Sequence, residues 1–227
     1  GNVIEFFNDE KIDFVFVTGG KSGGILANQK YPAELMLDNL RIVCNVIQAA
    51  HLTGVKQLLY LASSCAYPKL SGQPMRPEML MGGQLEPTNA SYATAKLAGM
   101  ELCRAYCRQY KVRFFSVIPA NVFGPGDEFS EEDSHVIGAL IKKMHEARET
   151  DSPKIDIWGS GKAQREFIFV DDLVDACVFV MQKFDGDDTI NVGTGAAVSI
   201  AELAKLIKEI VGYKGQLVFD RSKADGM

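Results

Sequence analysis

The sequence predicts an α/β protein built on a parallel sheet with crossover helices. Short continuous apolar runs at Phe14 to Val17, Gln57 to Ala62 and Phe114 to Ile118 suit strands buried on both faces. Between them stand longer segments with apolar residues at helical spacing, such as Leu35, Leu37, Leu40, Val43, Val46, Ile47 and Ala50. The two kinds of segment alternate to the end of the chain.

In chain order, residues 2–9 read as the end of a helix and 14–17 as a strand. A helix over 32–53 leads to strand 57–62, whose C-terminal end carries Ser63, Ser64 and Cys65. Ligands of open α/β sheets bind at that edge. A Pro/Gly-rich loop, 68–90, runs into a helix over 92–110, and strand 114–118 follows. After Phe123 comes a polar loop, 124–133, then helices near 134–148, 171–184 and 199–211 and short strands at 155–158, 189–192 and 216–219. The expected organisation is a dinucleotide-type layer over 1–122 and a smaller α/β substrate-binding portion, 123–227, interleaved with it.

A chain of 227 residues can bury a full core. Its net charge of -5 gives no electrostatic footprint for nucleic acid or an anionic membrane, so local basic residues must meet any phosphate. No apolar run approaches the roughly 18–20 residues of a membrane helix, and the N-terminus has no basic-then-apolar signal pattern. Five cysteines, odd in number and without framework spacing, point to a reducing cytoplasm. Cys103 and Cys107 share a helix face and read as buried small apolar residues. No metal is expected.

The chemistry-bearing residues start with Tyr92 and Lys96. Their i to i+4 spacing puts both on one helix face, where the ammonium can lie near the phenol. A phenol ionises near about 10, and a fixed cation is expected to favour the phenolate and make it a usable proton carrier. A serine hydroxyl at the end of a buried strand can add a second hydrogen bond to the same substrate oxygen, polarising a ketone. Alone, the pair fits equally a core tyrosine beside a solvated lysine.

Around that pair, KSGGILANQKYP (21–32), LASSCAYPKLSGQP (61–74), LEPTNASYATAKLAG (85–99), IPANVFGPGDEF (118–129), SHVIGALIKKMHEA (134–147), WGSGKAQREFIFVDDL (158–173) and INVGTG (190–195) run in order over most of the chain. In these strings the sequence resembles the extended short-chain dehydrogenase/reductase family, and within it the nucleotide-sugar epimerase-reductases. The resemblance implies a Rossmann-like doubly wound sheet, NADP as cofactor, a nucleotide-sugar substrate of the GDP-4-keto-6-deoxy-hexose kind, and a homodimer seam on helices 32–53 and 92–110.

Residue by residue, it implies that Tyr92, Lys96 and Ser63, with Ser64 as the other candidate serine, handle the ketone oxygen. Cys65 and His135 match the partners that invert the carbons beside it; their plain alternatives are a core thiol and a helix-capping or surface histidine. Thr18, Gly19 and Gly20 match the loop lining the nicotinamide ribose, although they depart from the small apolar residues usual there. Pro119 and Asn121 match the other nicotinamide-side element, and Ser63, Tyr92, Lys96 and His135 are expected to contact the cofactor too. Asn121 and Arg165 match positions that hold the nucleotide-sugar, with Ser64 and Lys143 as further substrate candidates and Trp158 as one that packs on the base or else fills core. An arginine fork suits a diphosphate, while an ion pair with Asp171 or Asp172 stays open for Arg165, and a solvated face for Lys143.

No Gly-x-x-Gly-x-x-Gly or Gly-x-Gly-x-x-Gly follows a first strand, so the phosphate-binding turn is not in this sequence. The resemblance implies a chain that begins inside the second or third βα unit and stops at Met227, short of the usual C-terminal segment. Three readings follow: the epimerase-reductase, a relative acting on another sugar such as a GDP-heptose, or a non-catalytic sugar-nucleotide-binding protein. The missing turn favours only the last, which has no need of Ser63, Cys65, Tyr92, Lys96 and His135 together.

Overall fold

The structure is a computed structural model, and it describes residues 2–130, 134–186 and 188–223. The end of the polar loop 124–133 and the C-terminal stop at Met227 lie outside the described residues.

Four strands form a parallel sheet in the order β1 (Phe14–Val17), β2 (Gln57–Leu61), β3 (Arg113–Pro119), β7 (Thr189–Val192). Two sides of it are packed. On one lie α1 (Asn2–Glu10), α3 (Pro32–Leu52) and α4 (Ala90–Tyr110), whose Phe7, Val43, Ile47, Met100 and Cys103 bury Leu58, Tyr60 and Phe114. On the other, Leu173, Cys177 and Met181 of α6 (Val170–Lys183) cover Leu59, Phe115 and Val117. Coverage on both faces explains why β2 and β3 read as unbroken apolar runs. At the sheet edge β1 alternates instead: Val15 and Val17 are buried, whereas Phe14 and Phe16 are 51% and 40% exposed. This architecture is the expected Rossmann-like α/β class.

A separate core joins α5 (Val136–Glu149), β5 (Lys154–Trp158), α7 (Ile200–Val211) and β9 (Gln216–Asp220) through Leu140, Met144, Ile155, Ile157, Leu203 and Ile207. Helix α7 starts in a capping box, Ser199 and Glu202 bonding reciprocally. Its end is Gly212 at φ 77°, the left-handed conformation that glycine adopts without a Cβ penalty.

The sequence reading missed a short helix, α2 (Ile25–Lys30), and three strands, β4 (Asn121–Phe123), β6 (Gln164–Phe169) and β8 (Ala197–Ser199). They form a second small sheet, ordered β4-β6-β8, in which β6 and β8 run antiparallel, so the pairing is not parallel throughout. Each is too short or too irregular in polarity to show a period. Leu37, counted on the apolar stripe of α3, is 48% exposed.

Candidate active site

Strand β2 ends against the start of α4, and the site forms between them. Ser63 has extended backbone and heads the 3-10 turn Ser64–Ala66; its Oγ accepts hydrogen bonds from the Cys65 main-chain N–H at 3.5 Å and from Cys65 Sγ at 3.1 Å. Tyr92 stands in the first turns of α4, near enough to Ser63 and Cys65 for both to act on the ionisation of its phenol. Lys96 is 5% exposed, and its Nζ donates to the carbonyl of Leu61 at 3.0 Å while lying 5.7 Å from the Tyr92 ring centre. Ser63, Cys65, Tyr92 and Lys96 are thereby gathered at the C-terminal edge of the sheet, with Ser64 one residue along the same turn.

The electrostatics correct one expectation. Burial pushes the Tyr92 phenol up, the Cys65 thiol adds to the rise, and only Ser63 opposes it. A nearby Lys96 therefore does not yield a resting phenolate, because burial outweighs it; the ammonium is held by the Leu61 carbonyl, and burial lowers its own pKa. Burial likewise pushes the Cys65 thiol up to about 11, against the opposing pulls of Ser63 and Lys96. The resting site is neutral hydroxyl and neutral thiol beside a buried lysine.

Thr18, Gly19 and Gly20 follow β1 and are exposed at the same edge. A Cβ on Gly20 would lie 2.6 Å from Asn39 Oδ1, a clash, and 3.6 Å from Lys96 Nζ, an ordinary contact, so it is Asn39 that keeps this position glycine where the loop passes the lysine. Asn39, 4% exposed on α3, ties the loop down by donating from Nδ2 to the carbonyls of Lys21 (2.8 Å) and Leu35 (2.6 Å). Sequence reasoning missed it; the signal was an amide on an apolar stripe, one turn from both Leu35 and Val43. Pro119 ends β3, and Asn121 begins β4 with Nδ2 donating to the Glu166 carbonyl at 2.9 Å.

The remaining predicted residues lie in the second part of the chain. His135 is exposed at the N-cap of α5 and makes no capping bond through its side chain. The groups that shift the Cys65 thiol and the Tyr92 phenol do not include it. Lys143 and Trp158 do meet: Nζ donates to the Asp156 carbonyl at 3.1 Å and sits 5.9 Å from the ring of Trp158, which is 42% exposed. Lys223 approaches the same ring at 5.5 Å, a cation–π contact that was not foreseen. Arg165 lies on β6, where its Nη1 donates to the Gln164 carbonyl at 2.7 Å. Its neighbour Glu166 was also missed; its Oε1 accepts from the Gly195 N–H at 2.6 Å and so holds the turn between β7 and β8.

A hydroxyl pair, a buried lysine and a thiol at the C-terminal edge of a parallel sheet, with a glycine loop passing over them, make a site suited to carbonyl chemistry in a dinucleotide-type fold. The chain belongs to the NAD dependent epimerase/dehydratase family, whose profile matches residues 1–193. It is similar to putative GDP-L-fucose synthase 2 of Arabidopsis thaliana, 48% identical over 225 residues that make up 99% of this chain and 69% of the relative. The GDP-L-fucose synthase of Escherichia coli (strain K12) is also 48% identical, over 99% of this chain and 73% of that protein. Among solved structures, the GDP-mannoheptose C4 reductase MlghC of Campylobacter jejuni, determined with NADP bound, superposes with a TM-score of 0.88 at 35% identity, covering 98% of this chain and 74% of that one.

Proposed function

We propose that the protein is an NADPH-dependent epimerase-reductase that converts a GDP-4-keto-6-deoxy-hexose to GDP-L-fucose or a close relative. The observation that carries this reading is the convergence of Ser63, Cys65, Tyr92 and Lys96 on one sheet edge, and the names of the relatives support it. We assign the cofactor layer to residues 1–122 and the sugar-nucleotide portion to 123–227.

The residues fit a nicotinamide at this edge: Gly20 leaves no room for a side chain of its own, and exposed Gly19 has open space around it. Thr18, Gly19, Gly20, Pro119 and Asn121 would hold it there, with Lys96 on the ribose. When bound, the reduced nicotinamide supplies the hydride that reduces carbon 4. The protein's own groups do the rest. Cys65, as thiolate, removes the proton from the carbon beside the ketone, and the electron pair moves onto the ketone oxygen as an enolate. Hydrogen bonds from Tyr92 and Ser63, or Ser64, hold that oxygen. His135 returns a proton from the opposite face, which inverts the centre. In the reduction step Tyr92 gives its proton to the oxygen of carbon 4. Ser64, Asn121, Lys143, Trp158 and Arg165 would hold the nucleotide-sugar, the guanidinium on the diphosphate and the indole on the base. The reading includes a homodimer and a reducing cytoplasm, in keeping with cysteines that are all free.

The second reading is a 4-reductase of a related GDP-sugar such as a GDP-heptose. The raised Cys65 thiol favours it, because reduction needs only Ser63, Tyr92 and Lys96. One experiment separates the two: incubation with GDP-4-keto-6-deoxymannose and NADPH, with product stereochemistry read by NMR, for the native protein and Cys65→Ser. Fucose-configured product from the native protein and unepimerised reduced product from the variant support the dual reaction. Identical products from both remove Cys65 from the mechanism, and no NADPH oxidation with this substrate overturns the proposal.

A further inference from the structure

Residues 68–90 form a long irregular segment between the Ser63–Cys65 turn and α4, so its two ends flank the groups that must meet. Those ends converge on one carboxylate. Glu86 is 6% exposed; its Oε2 pairs with Lys69 Nζ at 2.9 Å, and its Oε1 accepts from the N–H and the Oγ1 of Thr88, each at 3.4 Å. Backbone bonds complete the closure, Lys69 N–H to the Gln84 carbonyl at 2.9 Å and Asn89 N–H to the Glu86 carbonyl at 3.2 Å. Helix α4 starts without a side-chain cap: Asn89, in the N-cap position, makes no capping bond, and its buried Oδ1 has no hydrogen-bond partner.

We infer that Glu86 is a positioning residue for the carbonyl site, clasping Lys69 on the Cys65 side and Thr88 on the Tyr92 side so that the start of α4 is held beside the Ser63 turn. Long ordered loops in compact domains usually carry function, and a buried carboxylate that joins the two ends of one needs both partners to stay satisfied. Its negative charge also lies at the N-terminal end of α4, where the helix dipole favours it. The anchoring of Tyr67, whose hydroxyl donates to Asn191 Oδ1 at 2.6 Å, fixes the Cys65 end of the segment to β7. The Tyr92 end is held by the clasp and, one turn further along α4, by the Lys96 bond to the Leu61 carbonyl. Loss of Glu86 or of the Lys69 ammonium lets the first turn of α4 shift, and a shift of about 1 Å at the reacting groups is worth on the order of 100-fold in rate.

The inference rests on Tyr92 and Ser63 being the carbonyl-facing pair, and the test separates the two claims. Steady-state NADPH oxidation with GDP-4-keto-6-deoxymannose is measured for the full chain and for Glu86→Gln, Lys69→Met, Lys69→Arg and Tyr92→Phe, with a thermal melt of each. The expected result is a kcat lower by about 10- to 100-fold in E86Q and K69M, a KM within about threefold, and recovery of most of the kcat in K69R, which keeps the ion pair. A normal kcat in E86Q and K69M with only a lower Tm, or a K69R no better than K69M, overturns the inference. Lys69 is half-exposed, so if E86Q fails to fold the lysine pair decides alone. A fully active Y92F overturns the carbonyl-site reading itself, whereas an inactive Y92F beside a normal E86Q overturns only the role of Glu86.

Discussion

Lys96 reaches back from α4 to hold the last carbonyl of β2, its Nζ 3.0 Å from Leu61 O. Strand and helix are thus locked at the residue where the strand hands over to Ser63, and the lysine fixes the geometry as well as the charge of the site. Removing it unties both. Lys96→Met is expected to lower kcat by about 10²- to 10⁴-fold, the range of a lost acid–base partner, with near-native far-UV circular dichroism. Lys96→Arg should not restore it, because a planar guanidinium fork does not reproduce the compact ammonium donor that meets the Leu61 carbonyl.

Thiol accessibility follows from the Cys65 environment. With burial holding its pKa at about 11, almost none is thiolate at neutral pH. Iodoacetamide followed by peptide mass spectrometry should modify exposed Cys44 first. The rate at Cys65 should climb about tenfold per pH unit between 7 and 10. Rapid, pH-independent labelling of Cys65 would contradict the burial account.

Stability against acid should depend on Glu86. Burial pushes its carboxyl up, but the Lys69 and Thr88 hydrogen bonds and the Lys69 charge outweigh that and leave it below the usual value of 4.5. A carboxyl depressed in the folded state adds stability that is fully present above its unfolded pKa and disappears as pH falls through the folded one. The Tm advantage of the native protein over E86Q should therefore hold at pH 7 and shrink steadily below about pH 4.5. A gap that is flat down to pH 3 would show that the carboxylate charge contributes nothing.

Gly99 provides a packing test. A Cβ there would stand 2.5 Å from the Tyr60 ring, and both residues are buried. Gly99→Ala should cost about 1–3 kcal/mol, as overpacking does, and lower Tm accordingly. Tyr60 also lies against Lys96, 5.2 Å from ring centre to Nζ, so kcat should fall with it.

The sheet was legible because β2 and β3 are covered on both faces and leave long apolar runs, and α3 and α4 because they are long enough to show a period. The second small sheet was not, since strands as short as Asn121–Phe123 and Ala197–Ser199 carry no period of their own. At the site, residue types and spacing pointed to Ser63, Cys65, Tyr92 and Lys96. They could not show how far the fold buries the phenol beside the Cys65 thiol, and so the expected phenolate was wrong in sign. Glu86 and Asn39 act through contacts far from neighbouring sequence positions in effect, if not always in number, and only the folded backbone brings Lys21, Lys69 and their partners together.

The core of α5, β5, α7 and β9 shares no residue with the two clusters that pack the sheet. Trp158 and Lys143 ride on the first, while Ser63, Tyr92 and Lys96 ride on the second. Substitutions can therefore accumulate in the hydrophobic unit beneath Trp158 and Lys143 while the packing beneath Ser63, Tyr92 and Lys96 stays as it is.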